Sequence, residues 1–145
     1  LLDAGTGGQL APTAGLAAKG GLEAAGITPD SIDTIMISHM HPDHIFGLME
    51  KETNAQVFPN AELMVSETEY NFWTDPALIP KLPESRQGLA KRIQATFPDW
   101  NNVTQFAGEK ELAPGIRAVE SFGHSIRIRL VLLVSRLLKK QLPIT

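Results

Sequence analysis

Three of the chain's four histidines and one aspartate stand within six positions, in the run Ser38-His39-Met40-His41-Pro42-Asp43-His44. Imidazole and carboxylate donors without thiolate suit zinc first, with manganese, iron or cobalt as substitutes. In an extended segment side chains two apart share a face, so His39 and His41 are placed to meet at one point. Asp43 and His44 are adjacent and must diverge as the chain turns into a helix near Asp43, which suits two neighbouring metals better than one. Pro42 stiffens the corner between the two pairs. One histidine beside a helix start is ordinarily structural or solvated. Four ligand-type residues in six positions, directly after an apolar strand, point to a metal site. The fourth histidine, His124, follows the strand-like residues 116–122 and a glycine, so it also stands at a strand end.

The elements that must position these groups alternate between strand and helix, the pattern of an α/β protein. Leu1-Leu2-Asp3 reads as the end of a strand, and residues 4–8 as a glycine-rich turn that brings backbone close to something. Residues 13–25 are rich in Ala and Leu and predict a helix, weakened by Gly15, Gly20 and Gly21. Thr28 followed by Pro29 starts a short turn. Residues 34–38 form an apolar run with the character of a buried strand ending at Ser38. Residues 61–66 read as a second strand. Ser66 with Glu69 makes a capping box that opens a helix through Phe72 and Trp73. Residues 84–97 predict another helix, with Leu89, Ile93 and Phe97 on one face. Residues 103–106 and 116–122 are strand candidates, the second introduced by the turn Ala113-Pro114-Gly115.

Composition bounds the possibilities. The chain has 145 residues, 43% of them hydrophobic and 20% charged, which is the composition of one globular domain. It has no cysteine, so disulfides, thiolate zinc sites and cysteine nucleophiles are excluded. No apolar run is long enough to span a membrane. Residues 1–125 carry all sixteen acids against eight Lys or Arg, whereas residues 126–145 carry five Lys or Arg and no acid. The acidic body argues against a nucleic-acid partner. Compartment and oligomeric state stay open.

The run His39-Met40-His41-Pro42-Asp43-His44 resembles the HxHxDH signature of the metallo-β-lactamase superfamily. Asp3-Ala4-Gly5-Thr6-Gly7-Gly8 looks like that family's Asp-Xaa-Gly turn, and Ser121-Phe122-Gly123-His124-Ser125 like its next ligand motif. The stretches 11–15, 27–49, 58–63, 71–73 and 113–124 are most similar to the branch of methyl parathion hydrolase-like enzymes and lactonases. The resemblance implies a partial αββα sandwich with a dinuclear metal centre at one edge. His39, His41 and His124 would bind the first metal, and Asp43 and His44 the second. It implies a metal-dependent hydrolase of a small-molecule substrate, in which metal-activated hydroxide attacks an ester, lactone or phosphotriester, with Asp43 orienting the nucleophile. Asp3 would brace the loops around the ligands, although an Asp capping a turn at a strand end is an equal reading. Trp73 and Phe72 fall near the implied substrate pocket, while an aromatic on a helix is more often core. Leu10 and Leu89 stand where the organophosphate-cleaving members carry phenylalanine, which favours an ester or lactone.

The resemblance covers residues 1–124. Residues 1–125 are therefore expected to be the N-terminal half of such a domain, without its first strands. The family's bridging aspartate and last histidine have no counterpart after His124. Residues 126–145 are expected to be an atypical basic and apolar tail, of frameshifted or miscalled origin. Read otherwise, they are a strand tolerated where the family has one, or an amphipathic segment on a membrane. Against the hydrolase stands one rival expectation: an inactive fragment binding at most one metal.

Overall fold

The structure, a computed structural model, describes residues 1–11, 20–121 and, for the backbone, 129–133. Its elements in chain order are α1 (Leu22–Ala24), β1 (Thr34–Met36), α2 (Pro42–Ile45), β2 (Glu62–Ser66), α3 (Glu67–Thr74), α4 (Glu84–Thr96), β3 (Val103–Phe106), β4 (Lys110–Ala113), β5 (Ile116–Glu120) and β6 (Arg129–Leu133), with short 3-10 turns between them. β1, β2 and β3 form a parallel sheet in that order, joined by right-sized helical crossovers, and β4, β5 and β6 form an antiparallel one.

The central residues of β1 and β2 are apolar and buried on both faces, whereas β3, at the edge, exposes Thr104 and Gln105. Ile35, Ile37, Leu63 and Val65 pack against the helices, together with Trp73, Ala90, Ile93 and Phe97. The alternate residues Met36 and Met64 turn to the other face, where with Phe106 of β3 they meet Ala118 of the second sheet. Helices, parallel sheet and antiparallel sheet are thus stacked in layers, the partial αββα arrangement expected from the sequence. Among the described residues no helix is long and apolar enough to cross a membrane.

Several expectations need adjusting. The strand ahead of the histidines ends at Met36, not Ser38, although the Ile37 N–H still donates to the Met64 carbonyl at 2.8 Å. The Leu1–Asp3 segment is strand-like in pairing only: Leu2 bridges Met36 in parallel, and Asp3 N–H donates to the Met36 carbonyl at 2.9 Å. Of the helix expected over residues 13–25, α1 keeps only Leu22–Ala24, and residues 12–19 lie outside the described residues. Residues 84–97 do form a helix, α4, which passes into a 3-10 turn at Phe97. β4 was not foreseen, since Lys110-Glu111-Leu112-Ala113 has little of the β-branched character that marks a strand.

The capping box does not form. Ser66 makes no side-chain cap bond, and its buried hydroxyl has no hydrogen-bond partner among the described residues. Glu69 is drawn elsewhere, to two buried N–H donors described below. Of the tail, Arg129–Leu133 pairs with β5 in antiparallel register, Glu120 opposite Arg129 and Ile116 opposite Leu133. That is the strand reading of the segment. The other residues of 126–145, and His124, lie outside the described residues.

Candidate metal centre

The ligand motif occupies the loop between β1 and α2. Here the chain leaves a sheet covered on both faces and turns through His41, which is extended at φ −81° and ψ 157°, into Pro42 at the first helical position. Donor atoms of His39, His41 and Asp43 all lie within 4.8 Å of one another. The His39 and His41 rings meet edge to face with centroids 4.7 Å apart, as expected for residues two apart on an extended segment. His39 is buried, 5% exposed, while Asp43 reaches toward solvent.

Asp43 and His44 do not diverge as far as adjacency suggests. His44 Nε2 lies 3.4 Å from Asp43 Oδ2, because both side chains lean back over the single turn of α2. On its other side, His44 Nδ1 lies 2.8 Å from Asp3 Oδ2.

Asp3 is the organiser of this network. Its backbone adopts φ +50°, a left-handed conformation that Asp tolerates better than most residues. From there one carboxylate oxygen accepts the Ser38 N–H at 2.7 Å, and the other accepts the Ser38 hydroxyl at 2.7 Å. A hydroxyl has one proton to give, so the Ser38 oxygen accepts from His39 Nδ1 at 3.1 Å. The single Nδ1 proton of His44 goes to Asp3 Oδ2 at 2.8 Å, with Ser38 Oγ a more distant second neighbour at 3.2 Å. The network therefore places a proton on Nδ1 of both rings and leaves Nε2 to face the site. Residues that fix a ring's tautomer from behind are what an imidazole metal site requires. Burial, aided by the neighbouring His44 and His41, lowers the pKa of His39 to about 4, so this ring is neutral near pH 7. Donor types, spacing, tautomers and charge state all fit a transition-metal cation such as zinc.

The turn after Asp3 packs backbone on backbone. Ala4 N–H donates to the His44 carbonyl at 2.8 Å, and Gly47 N–H to the Gly5 carbonyl at 2.8 Å. A Cβ on Gly47 would run into the Ala4 carbonyl, so glycine is required there.

Beside the ligands lies a cavity of about 200 Å³ lined by His41, Pro42, Asp43, Trp73, Ser85, Arg86 and Leu89. Trp73 answers to both of its sequence readings: it is 3% exposed and part of the core, yet its ring stands edge-on to His41 at 5.8 Å and forms the cavity wall. Leu89 lines the same cavity. Phe72 supports the wall from behind, edge to face with Trp73 at 5.4 Å. Leu10 is 59% exposed and does not line this cavity.

Sequence reasoning missed four contributors. Ser38 sits directly before the motif and carries no ligand chemistry of its own. Ser85 and Arg86 reach the cavity only because α4 packs beside α3. Glu69 was read as half of a capping box. In the structure it is 2% exposed, and its Oε1 accepts the Met40 N–H at 2.9 Å and the Trp73 indole N–H at 2.9 Å. Burial pushes its pKa up, and those two hydrogen bonds pull it back. The four-residue spacing of Glu69 and Trp73 on one helix face was the signal available.

A sequence profile of the metallo-beta-lactamase superfamily matches residues 1–125. Over 105 residues the chain is 32% identical to the N-acyl homoserine lactonase AiiB of Agrobacterium fabrum strain C58, covering 70% of this chain and 34% of that protein. Among solved structures, the hydrolase AbOPH of the beta lactamase superfamily matches with a TM-score of 0.73 at 27% identity, over 88% of this chain and 45% of that one. The dizinc quorum-quenching lactonase AidC, solved with a product bound, matches with a TM-score of 0.71 at 26% identity, over 94% of this chain and 49% of its own. The chain thus spans about a third of the lactonase AiiB and just under half of each of these two structures.

Proposed function

The chain belongs to the metallo-beta-lactamase superfamily, and on that premise we propose that it carries the ligand half of a zinc-dependent hydrolase of esters or lactones. The observation that carries the proposal is the convergence of His39, His41 and Asp43 within 4.8 Å, at the end of a buried strand. His39 and His41, with His124 on the family resemblance alone, would hold one ion. Asp43, within 4.8 Å of both histidines, would hold a second beside it together with His44, which Asp3 fixes. Bound zinc supplies Lewis acidity, which makes water nucleophilic near neutral pH and polarises the oxygen of the bond to be cleaved; manganese, iron or cobalt would serve similarly.

The chain's own residues do the rest. Asp43, exposed at the cavity, is placed to hold a water by hydrogen bonding and to take its proton on a carboxylate oxygen. Asp3 and Ser38 keep the Nδ1 protons of His39 and His44 in place. Trp73, Leu89 and Pro42 offer the apolar part of a substrate a wall, and Ser85 and Arg86 offer hydrogen-bond donors to its polar part. The aliphatic Leu89 in that wall, with lactonases among the relatives, favours an ester or lactone over an aryl phosphotriester.

The test is metal content by mass spectrometry, with and without chelator, beside His39→Ala, followed by hydrolysis assays on N-acyl homoserine lactones, simple esters and aryl phosphotriesters. Zinc retained by the parent chain and lost from the variant, with lactone or ester cleaved at least about tenfold faster than phosphotriester, is the expected result. A parent chain that retains no metal would overturn the proposal. The rival, a fragment that holds one ion and turns over little, is favoured by the donor count, since among the described residues three side chains cluster. It predicts one ion per chain and no measurable hydrolysis.

A further inference from the structure

We propose that Glu69 is a positioning residue for the metal centre, setting the backbone between His39 and His41 and the cavity wall at Trp73 through one buried carboxylate oxygen. The inference rests on the reading of His39 and His41 as ligands. Oε1 of Glu69 accepts the N–H of the peptide joining His39 to Met40, at 2.9 Å, and the Trp73 indole N–H, also at 2.9 Å. The Met40 side chain is itself completely buried, in the core cluster that also holds Trp73. The peptide that joins His39 to Met40 is therefore held twice, by packing and by a hydrogen bond. Rotation of that peptide would swing the His39 and His41 side chains apart, because their shared face depends on its extended geometry.

The chemistry of the site argues that the carboxylate is more than filler. Glu69 is 2% exposed and forms no ion pair among the described residues. An unpaired acid at that depth is costly, and an apolar residue would fill the space more cheaply were it not for the two donors. Without an acceptor, the Met40 N–H and the Trp73 indole N–H would both be buried and unsatisfied. One oxygen answers both, so the spacing of two candidate ligands and the place of the aromatic wall are fixed by the same atom. The ring of Trp73 in turn stands against His41 at 5.8 Å, which closes the circuit from ligand to wall.

The experiment compares the full chain with Glu69→Ala and Glu69→Gln, by zinc affinity in chelator competition and by NMR. Gln keeps a carbonyl oxygen where Oε1 stands and can accept both bonds, so it is expected to hold zinc within about threefold of the parent. Ala is expected to lose about 10- to 100-fold in zinc affinity, the usual effect of removing a group that orients a ligand. It should also speed hydrogen exchange at the Met40 amide and the Trp73 indole together. Should the Ala variant fail to fold, Glu69→Asp, which keeps the charge and falls one methylene short, carries the same expectation. A folded Ala or Asp variant with the parent's zinc affinity would overturn this inference and leave the metal proposal intact. A parent chain that binds no zinc would overturn the metal proposal. The His39 and His41 ring resonances of the metal-free proteins then decide the inference about Glu69. Rings shifted by Ala and unshifted by Gln support it, and rings unmoved in both overturn it.

Discussion

The two sheets of the molecule treat their strands differently, and the candidate site grows from only one of them. In the parallel sheet, Ile35 and Ile37 face the helices while Met36 faces the second sheet, so β1 has no exposed side. In the antiparallel sheet, β5 buries Ala118 and leaves Arg117 in solvent, and β4 exposes Lys110 and Glu111. A strand enclosed on both faces cannot shift to accommodate a change at its end. A strand with one wet face can. The candidate ligands, which lie within a few ångströms of one another, follow the enclosed strand β1, and the difference predicts where substitutions will be felt.

The strongest way to break this contrast is Gly47→Ala. The new methyl group would meet the Ala4 carbonyl, backbone against backbone, with no flexible side chain to yield. A loss on the order of 4 kcal/mol or more is expected in urea unfolding, at the severe end for a single substitution. A loss below 1 kcal/mol would show that the cradle is looser than described.

Next comes a matched pair. Ile35→Ala removes a side chain that is 0% exposed, and should cost about 3 to 4 kcal/mol. Val119→Ala in half-buried β5 should cost about 1 kcal/mol. Equal losses would erase the distinction between the sheets.

The third prediction concerns pH and sharpens the contrast at one residue. In metal-free protein, His39 takes up a proton only near pH 4, whereas in the unfolded chain it does so near 6.5. Between those values the unfolded state binds more protons, so stability falls as the pH drops from about 6.5 to about 4 and levels below that. The full effect is up to about 3 kcal/mol. His39→Gln should flatten this part of the profile. A metal-free chain whose stability is level across that window would show that His39 is not buried as a neutral ring.

The site was legible in the sequence where its chemistry is local. His39, His41 and Asp43 are bound by spacing alone, and strand periodicity placed the two histidines on one face. The α/β class followed from alternating strand and helix signals, and the layered sandwich from the family resemblance. What was hidden depends on distance along the chain. Ser38 shows its role only once Asp3, thirty-five residues away in sequence, is seen against it. Glu69 fitted a local capping pattern, but its carboxylate goes to two buried donors instead of to Ser66 at the start of its own helix. Leu10 and Trp73 illustrate the limit of position matching: both fell on a family pattern, yet only Trp73 is carried by a helix to the cavity. β4 has a polar, exposed face that resembles a loop until β5 pairs with it.

The clasp from Asp3 to Ser38 and His44 also bears on the order of events as the chain acquires its shape. His39, His41, Asp43 and His44 are near neighbours in sequence and can gather as fast as a short loop closes, whereas the Asp3 carboxylate that sets the tautomers of His39 and His44 is thirty-five residues from Ser38 and forty-one from His44. A metal ion offered to the unfolded protein meets its donors before their brace is in place, with the ring protons still free to exchange between nitrogens. Refolding first and loading afterwards is the sequence of steps in which the imidazoles present the intended nitrogen, and preparations made in the two orders would differ in how fast they yield one uniform centre.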